Sequence, residues 1–138
     1  MSQRNVEVIR RGLEALSSGD IERIFDFVDP HFEGHVPPEL STEPDTYRGH
    51  EGIRRYFQSF WDDMEDIRFE AERMWEKGDA VVVATRMTAR GKRTAIPVEQ
   101  RFGQIWTVRS GRAIAVSNYA SVEHALEAAG LANGGDRV

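Results

Sequence analysis

The sequence predicts an α+β domain in which a long, curved antiparallel or mixed sheet forms a cone around about three helices. Three observations carry this reading. Helical periodicity dominates the first half of the chain, and strand-like runs joined by tight turns dominate the second. That segregation indicates α+β and not a doubly wound sheet. The length, 138 residues, suits one domain with one core. A long sheet can bury one face under three helices only by wrapping around them, which leaves a cavity at the open end.

The elements follow in order. From Asn5 to Leu16 the residues Val6, Val8, Ile9, Leu13 and Leu16 recur at helical spacing, and Ser17-Ser18-Gly19 ends that helix. Asp20 caps a second, short helix with Ile21, Ile24, Phe25 and Val28 on its inner stripe, and Asp29-Pro30 stops it. His31 to Val36 alternates as a short strand and ends at Pro37-Pro38. The polar stretch Glu39 to Thr46 reads as a loop. Tyr47-Arg48-Gly49-His50 leads into a third helix whose Ile53, Tyr56, Phe57, Phe60, Trp61 and Met64 gather mostly on one face.

After Asp66 the period changes to two, and Ile67, Phe69 and Ala71 begin a strand that runs to Trp75. Lys77-Gly78-Asp79 turns into the β-branched run Ala80 to Met87, and Arg90-Gly91-Lys92 makes the next turn. Val98 to Val108 is a long strand, which Ser110-Gly111 turns into Ala113 to Tyr119. A last amphipathic segment, Val122 to Leu131, closes a single domain over residues 1–131, and 132–138 reads as a disordered tail.

Composition narrows the function classes. Lys and Arg total 18 against 23 Asp and Glu, a formal charge of -5 with no dense basic run, so no nucleic-acid partner is expected. The chain has no cysteine, which excludes disulfides, thiolate catalysis and cysteine-bound metals. No run of about 18 apolar residues and no signal-peptide pattern is present, so the expectation is a cytoplasmic protein without a membrane partner. Phosphate loops, nucleophile elbows and dinucleotide fingerprints are absent, and no cofactor is implied.

Side chains alternate across a strand, so each strand has an inner and an outer face. The apolar face of the long strand is Val98, Gln100, Phe102, Gln104, Trp106 and Val108. On the next strand it is Ile114, Val116, Asn118 and Ala120, and on the strand from Ala80 it is Val81, Val83, Thr85 and Met87. Gln104 and Asn118 therefore sit on apolar faces of adjacent strands. A buried amide without a partner costs about 1–3 kcal/mol, so these two should meet each other, a water or a ligand.

Four segments carry a family resemblance. Gly19-Asp20-Ile21-Glu22, Asp29-Pro30-His31-Phe32-Glu33 and Tyr47-Arg48-Gly49-His50-Glu51-Gly52-Ile53-Arg54 resemble the start of a SnoaL-like domain of the nuclear transport factor 2-like superfamily. Phe102 to Tyr119, with its Ser110-Gly111-Arg112 turn, is similar to the family's final hairpin. The resemblance spans roughly residues 5 to 130 and implies a cystatin-like α+β roll with one cone-shaped pocket. It also implies, commonly, a homodimer through the outer face of the sheet. The superfamily holds isomerases, polyketide cyclases, dehydratases and non-catalytic binding domains, so the resemblance implies no single activity.

The catalytic groups of two relatives do not carry over. The positions that resemble the tyrosine, base and oxyanion acid of ketosteroid isomerases are Gly12, Gly34 and Gln104, and a supporting tyrosine becomes Phe57. The histidine and aspartate of the polyketide cyclases correspond to Gln104 and Asn118, and an amide cannot serve as a general base.

The remaining ionisable candidates lie near the first strand. His35, at the strand end, titrates near neutrality when unperturbed and is the leading catalytic candidate, with Glu33 beside it. His31, Glu33 and His35 alternate, but three ligands within five residues of one short strand make poor tetrahedral geometry, so no metal is expected. His50 reads as structural and His124 as exposed.

Three functional readings stay open. The first is binding of a small apolar molecule in a pocket walled by Tyr47, Phe57, Trp61, Phe102 and Trp106, with Gln104 and Asn118 orienting it. The second is an isomerase, cyclase or dehydratase with His35 or Glu33 as general base and Gln104 as oxyanion donor. The third is a dimeric structural module whose cone is filled by its own side chains.

Overall fold

The computed structural model describes residues 2–38 and 45–131. Among them are α1 (Ser2–Ser17), α2 (Ile21–Phe27), β1 (Val28–Val36), β2 (Asp45–Arg48), α3 (Gly49–Asp63), β3 (Met64–Lys77), β4 (Ala80–Gly91), β5 (Pro97–Arg109), β6 (Arg112–Tyr119) and α4 (Val122–Ala128). The six strands form one mixed sheet in the order β2-β1-β6-β5-β4-β3. β3 to β6 are an antiparallel meander, and β1 joins the edge of β6 in parallel. The α+β cone read from the sequence is the fold observed.

Local chemistry sets the boundaries. Asp20 caps α2 by accepting from the Glu22 amide at 3.0 Å. Asp29-Pro30 does end that helix, but β1 begins at Val28 and runs through the proline. Proline cannot donate to a ladder, and the register of β1 on β6 is irregular between Val28 and Glu33, where Pro30 lies. Of the polar stretch expected as a loop, 39–44 lies outside the described residues, as does the tail 132–138. Asp45 and Thr46 instead begin β2, antiparallel to β1. A strand of four residues, of which Tyr47 is buried, is too short to show a period.

The concave face holds the main core. Val6, Ile9, Leu13 and Leu16 of α1, Ile24 and Phe27 of α2, and Ile53 and Phe57 of α3 pack against Phe69, Val81, Val83, Phe102, Trp106 and Val108. Ile24 and Phe32 are 0% and 1% exposed, and burial of each side chain contributes about 1.5–3 kcal/mol. Two bulges adjust which residues point inward. The break between Ala71 and Arg73 inserts Glu72, so Met74 joins the main core and Trp75 turns to the convex side. The break between Thr107 and Val108 puts Ala113, fully buried, where alternation predicts Ile114. Ile114 is only half-buried, which corrects the face read from the sequence.

The convex face is divided. At one end α4 covers Trp75, Val82 and Ala84, with Ala125 at the centre of this second cluster. A methyl at Gly103 would lie 2.6 Å from the Ser121 carbonyl oxygen and 2.8 Å from the Ala125 Cβ, so only glycine lets α4 lie this close. The other end carries an ionic lattice. Arg86 bonds Glu99 at 2.7 Å and approaches Glu70, while Arg101 bonds Glu72 and Glu99 at 3.0 Å. These carboxylates separate Arg86 and Arg101, which lie directly opposite on β4 and β5.

Candidate ligand cavity

Between the sheet and the helices lies an apolar cavity of about 50 Å³. Its walls include Val28, Phe32, Gly34 and Val36 of β1, Tyr47 of β2, and Ile53, Tyr56 and Phe57 of α3. Leu16, Phe69, Phe102, Gln104, Trp106, Val116 and Asn118 complete it. Gly34 keeps one wall open, because a Cβ there would meet the Phe32 ring at 3.1 Å and Val116 at 3.4 Å. Trp106 is wedged between Phe27 and Phe32, with ring centroids at 5.3 and 6.2 Å.

The polar side of the cavity is a closed relay. Thr85 Oγ1 and Trp106 Nε1 both donate to Gln104 Oε1, at 2.8 and 3.0 Å. Gln104 Nε2 donates to Asn118 Oδ1 at 3.0 Å, and Asn118 Nδ2 donates to the His35 carbonyl at 2.8 Å. The two amides meet each other across the β5–β6 pair, which is the first of the outcomes open in the sequence. Thr85 and Trp106 occupy both lone pairs of the Gln104 oxygen, and one of the two Nε2 hydrogens is committed to Asn118, so an oxyanion could be met only by the other.

Six of the sequence-chosen residues line this cavity: Tyr47, Phe57, Phe102, Gln104, Trp106 and Asn118. Three do not. Trp61 touches Phe57 at 5.8 Å but lines a separate, open depression of about 580 Å³. Glu33 lies on the outer face of β1, its side chain 58% exposed and 3.7 Å from the Arg48 Nε. The His35 imidazole is also outward, with Nδ1 3.4 Å from Thr46 Oγ1. Alternation explains both: Phe32, Gly34 and Val36 take the inner positions, so residues 33 and 35 must take the outer ones. His35 instead lines a groove of about 500 Å³ with Pro37, Ser117, Tyr119 and His124.

The other histidines are equally remote. His31 is 97% exposed, and its amide donates to Asp29 Oδ1 at 2.8 Å, which with the nearby imidazole holds that carboxyl below its usual value. His50 stacks on Phe25 at 4.2 Å, and its Nε2 lies 3.2 Å from the Val28 carbonyl, tying the start of α3 to β1. Among the described residues no three His, Asp or Glu side chains could share a metal ion.

The sequence places Tyr56 in the apolar stripe of α3, and in the structure it lines the cavity. Its ring lies edge-on to Tyr47 at 4.9 Å, to Phe57 at 5.1 Å and to Phe60 at 4.9 Å. Burial pushes its phenol well above the ordinary value of 10, with Tyr47 adding to the shift, so it stays protonated and can only donate or accept as a neutral hydroxyl. Among the described residues that line the cavity, Tyr47 and Tyr56 are the ionisable side chains, and no His, Asp, Glu, Lys or Arg is among them. The space where the resemblance places the isomerase tyrosine is also taken: a Cβ on Gly12 would fall 2.2 Å from the Phe27 ring.

No helix among the described residues is long and apolar enough to cross a membrane. No curated protein matches the chain. Solved structures match its fold. An NTF2-like protein of unknown function from Burkholderia pseudomallei is 18% identical over 92% of this chain and 97% of its own, with a TM-score of 0.74. TerC, co-crystallised with polyporic acid, is 24% identical over 90% of this chain and 96% of its own, at a TM-score of 0.75. A protein with a ketosteroid isomerase-like fold from Catenulispora acidiphila, in complex with trimethylamine, is 14% identical over 91% and 93%, at 0.72. The sequence profile of the SnoaL-like domain matches residues 9–116, which takes in the cavity's residues from Leu16 to Val116, and the chain belongs to that family.

Proposed function

We propose that this chain is a non-catalytic binding domain that takes a small apolar molecule in the cavity between Phe57, Phe102 and Trp106. The observation that supports it best is the chemistry of the described lining: apolar walls, two phenols, and amides that bond one another. General acid–base catalysis needs a titrating group within hydrogen-bond reach of the substrate. His35 and Glu33, the bases of the enzyme reading, lie outside the cone. That two similar folds were crystallised with small molecules, polyporic acid and trimethylamine, is consistent with binding as a use of this fold.

A cavity of about 50 Å³ has room for one or two waters, since each occupies about 30 Å³ in the liquid. A ligand therefore enters only as aromatic side chains turn aside. The same small volume favours the alternative reading, a dimeric module whose cone is filled by its own side chains. Native mass spectrometry of the purified protein, followed by denaturation and extraction, separates the two. A bound or added apolar compound carried at one per chain supports binding. A chain that stays empty at saturating concentrations of several apolar compounds supports the filled module.

A further inference from the structure

The depression of about 580 Å³ that holds Trp61 lies directly beyond the cavity. Leu16 and Phe69 line both, one from each side, and are 5% and 8% exposed. We propose that the depression is the outer half of the ligand site. It receives the anionic end of an aromatic carboxylate or sulfonate, whose apolar end reaches the cavity by displacing the Leu16 and Phe69 side chains. This inference rests on the binding function proposed above and adds the ligand's chemical class and its route.

Charge carries the first part. Arg23 and Arg68 line the depression, and neither has an ion pair among the described residues. Of the three acids among the described lining residues, Glu65 and Asp66 share one cation, Arg90, whose Nη2 lies 2.6 and 2.8 Å from them. Glu14 is the third, and it is the one lining acid with no ion pair among the described residues. Two guanidinium groups without an ion pair among the described residues, in one depression with an indole, suit a planar ring bearing an anionic group.

The partition itself carries the second part. Ser17 Oγ accepts from the Phe69 amide at 2.9 Å and donates to the Leu13 carbonyl at 2.8 Å, so α1 holds the Phe69 backbone in place. A rotation of its ring therefore opens the wall without unzipping β3. The segment just before Phe69 is built to yield: the β3–β4 register breaks between Glu65 and Arg68, and Asp66 stands at φ 54. Joining the two spaces gives a site in the usual size range for ligands, several hundred Å³, which the cavity alone does not.

The test compares two probes with the same fused rings, 1-anilinonaphthalene-8-sulfonate and the neutral N-phenyl-1-naphthylamine, by equilibrium fluorescence titration. The double variant Arg23→Gln/Arg68→Gln should weaken the sulfonate about tenfold, as the loss of a charge-assisted contact implies, and leave the neutral probe within about twofold. Glu14→Gln should tighten the sulfonate alone, and Phe69→Leu should speed its association in stopped flow. Circular dichroism checks that each variant is folded. If the arginine variant changes both probes equally or neither, the inference is overturned while binding of the neutral probe keeps the proposed function standing. If wild type binds neither probe, both fall.

Discussion

Asn118 Nδ2 donates to the main-chain carbonyl of His35 at 2.8 Å, while the His35 imidazole sits on the other side of β1. The histidine thus reaches the cavity's polar relay through its backbone alone. His35→Ala should keep that carbonyl, the relay and ligand binding unchanged. A titration of N-phenyl-1-naphthylamine checks this, and a dissociation constant shifted more than about threefold, or about 0.65 kcal/mol, would place the imidazole in the site.

Gln104 is the hub of the relay. Gln104→Leu removes the acceptor of Thr85 and Trp106 and the donor to Asn118 together. Leaving buried groups unpaired costs roughly 1–3 kcal/mol each, partly relieved by rotation of the threonine, so the loss should be about 2–4 kcal/mol. Urea unfolding measures it, and a cost below about 1 kcal/mol would mean that the relay is not closed in solution.

The ionic lattice and the buried phenol give stability opposite pH limits. Arg86 donates to Glu99 and, with Arg101 beside it, holds that carboxyl below its ordinary 4.5. A depressed folded value means stabilisation that is full above about 4.5 and is lost as pH falls through the lower folded value. Glu99→Gln should flatten the acid limb of a stability–pH profile. Tyr56 has the opposite sign: its raised value means stabilisation present below 10 and lost as pH rises beyond it. Tyr56→Phe should flatten the alkaline limb only, and equal alkaline limbs would show an ordinary phenol.

The fold was legible because its signals are local. Helical spacing in α1 and α3 and the turn glycines of the meander need no partner to be read. The inner faces of β4 and β5 followed from alternation, and with them Phe102, Gln104 and Trp106. What failed depended on tertiary contacts. The bulges that move Ala113 inward and Trp75 outward arise from pairing across strands. His35 was favoured for its position at a strand end, although the buried Phe32 on the same strand already fixes residue 35 as outward. Trp61 and Tyr56 share one aromatic helix, and which ring turns to the cavity is decided by where β2 and β3 lie.

Gly103 ties the C-terminal helix to the sheet by the absence of a side chain. Gly103→Val should push α4 off Val82 and Ala84 and cost roughly 1–3 kcal/mol, as overpacking does. Urea unfolding gives the cost, and hydrogen exchange at the α4 amides localises it. A neutral substitution would mean that α4 is not docked there.

Filling the cavity tests its use as a binding site most directly. Gly34→Leu adds a side chain at the wall beside Phe32 and Val116, one residue before the His35 carbonyl on which the relay ends. Fluorescence titration of N-phenyl-1-naphthylamine into wild type should saturate at one per chain, and folded Gly34→Leu should bind at least about tenfold more weakly, a loss of about 1.4 kcal/mol. Equal binding by the two proteins, or no saturable binding by wild type, would contradict a ligand site in this cavity.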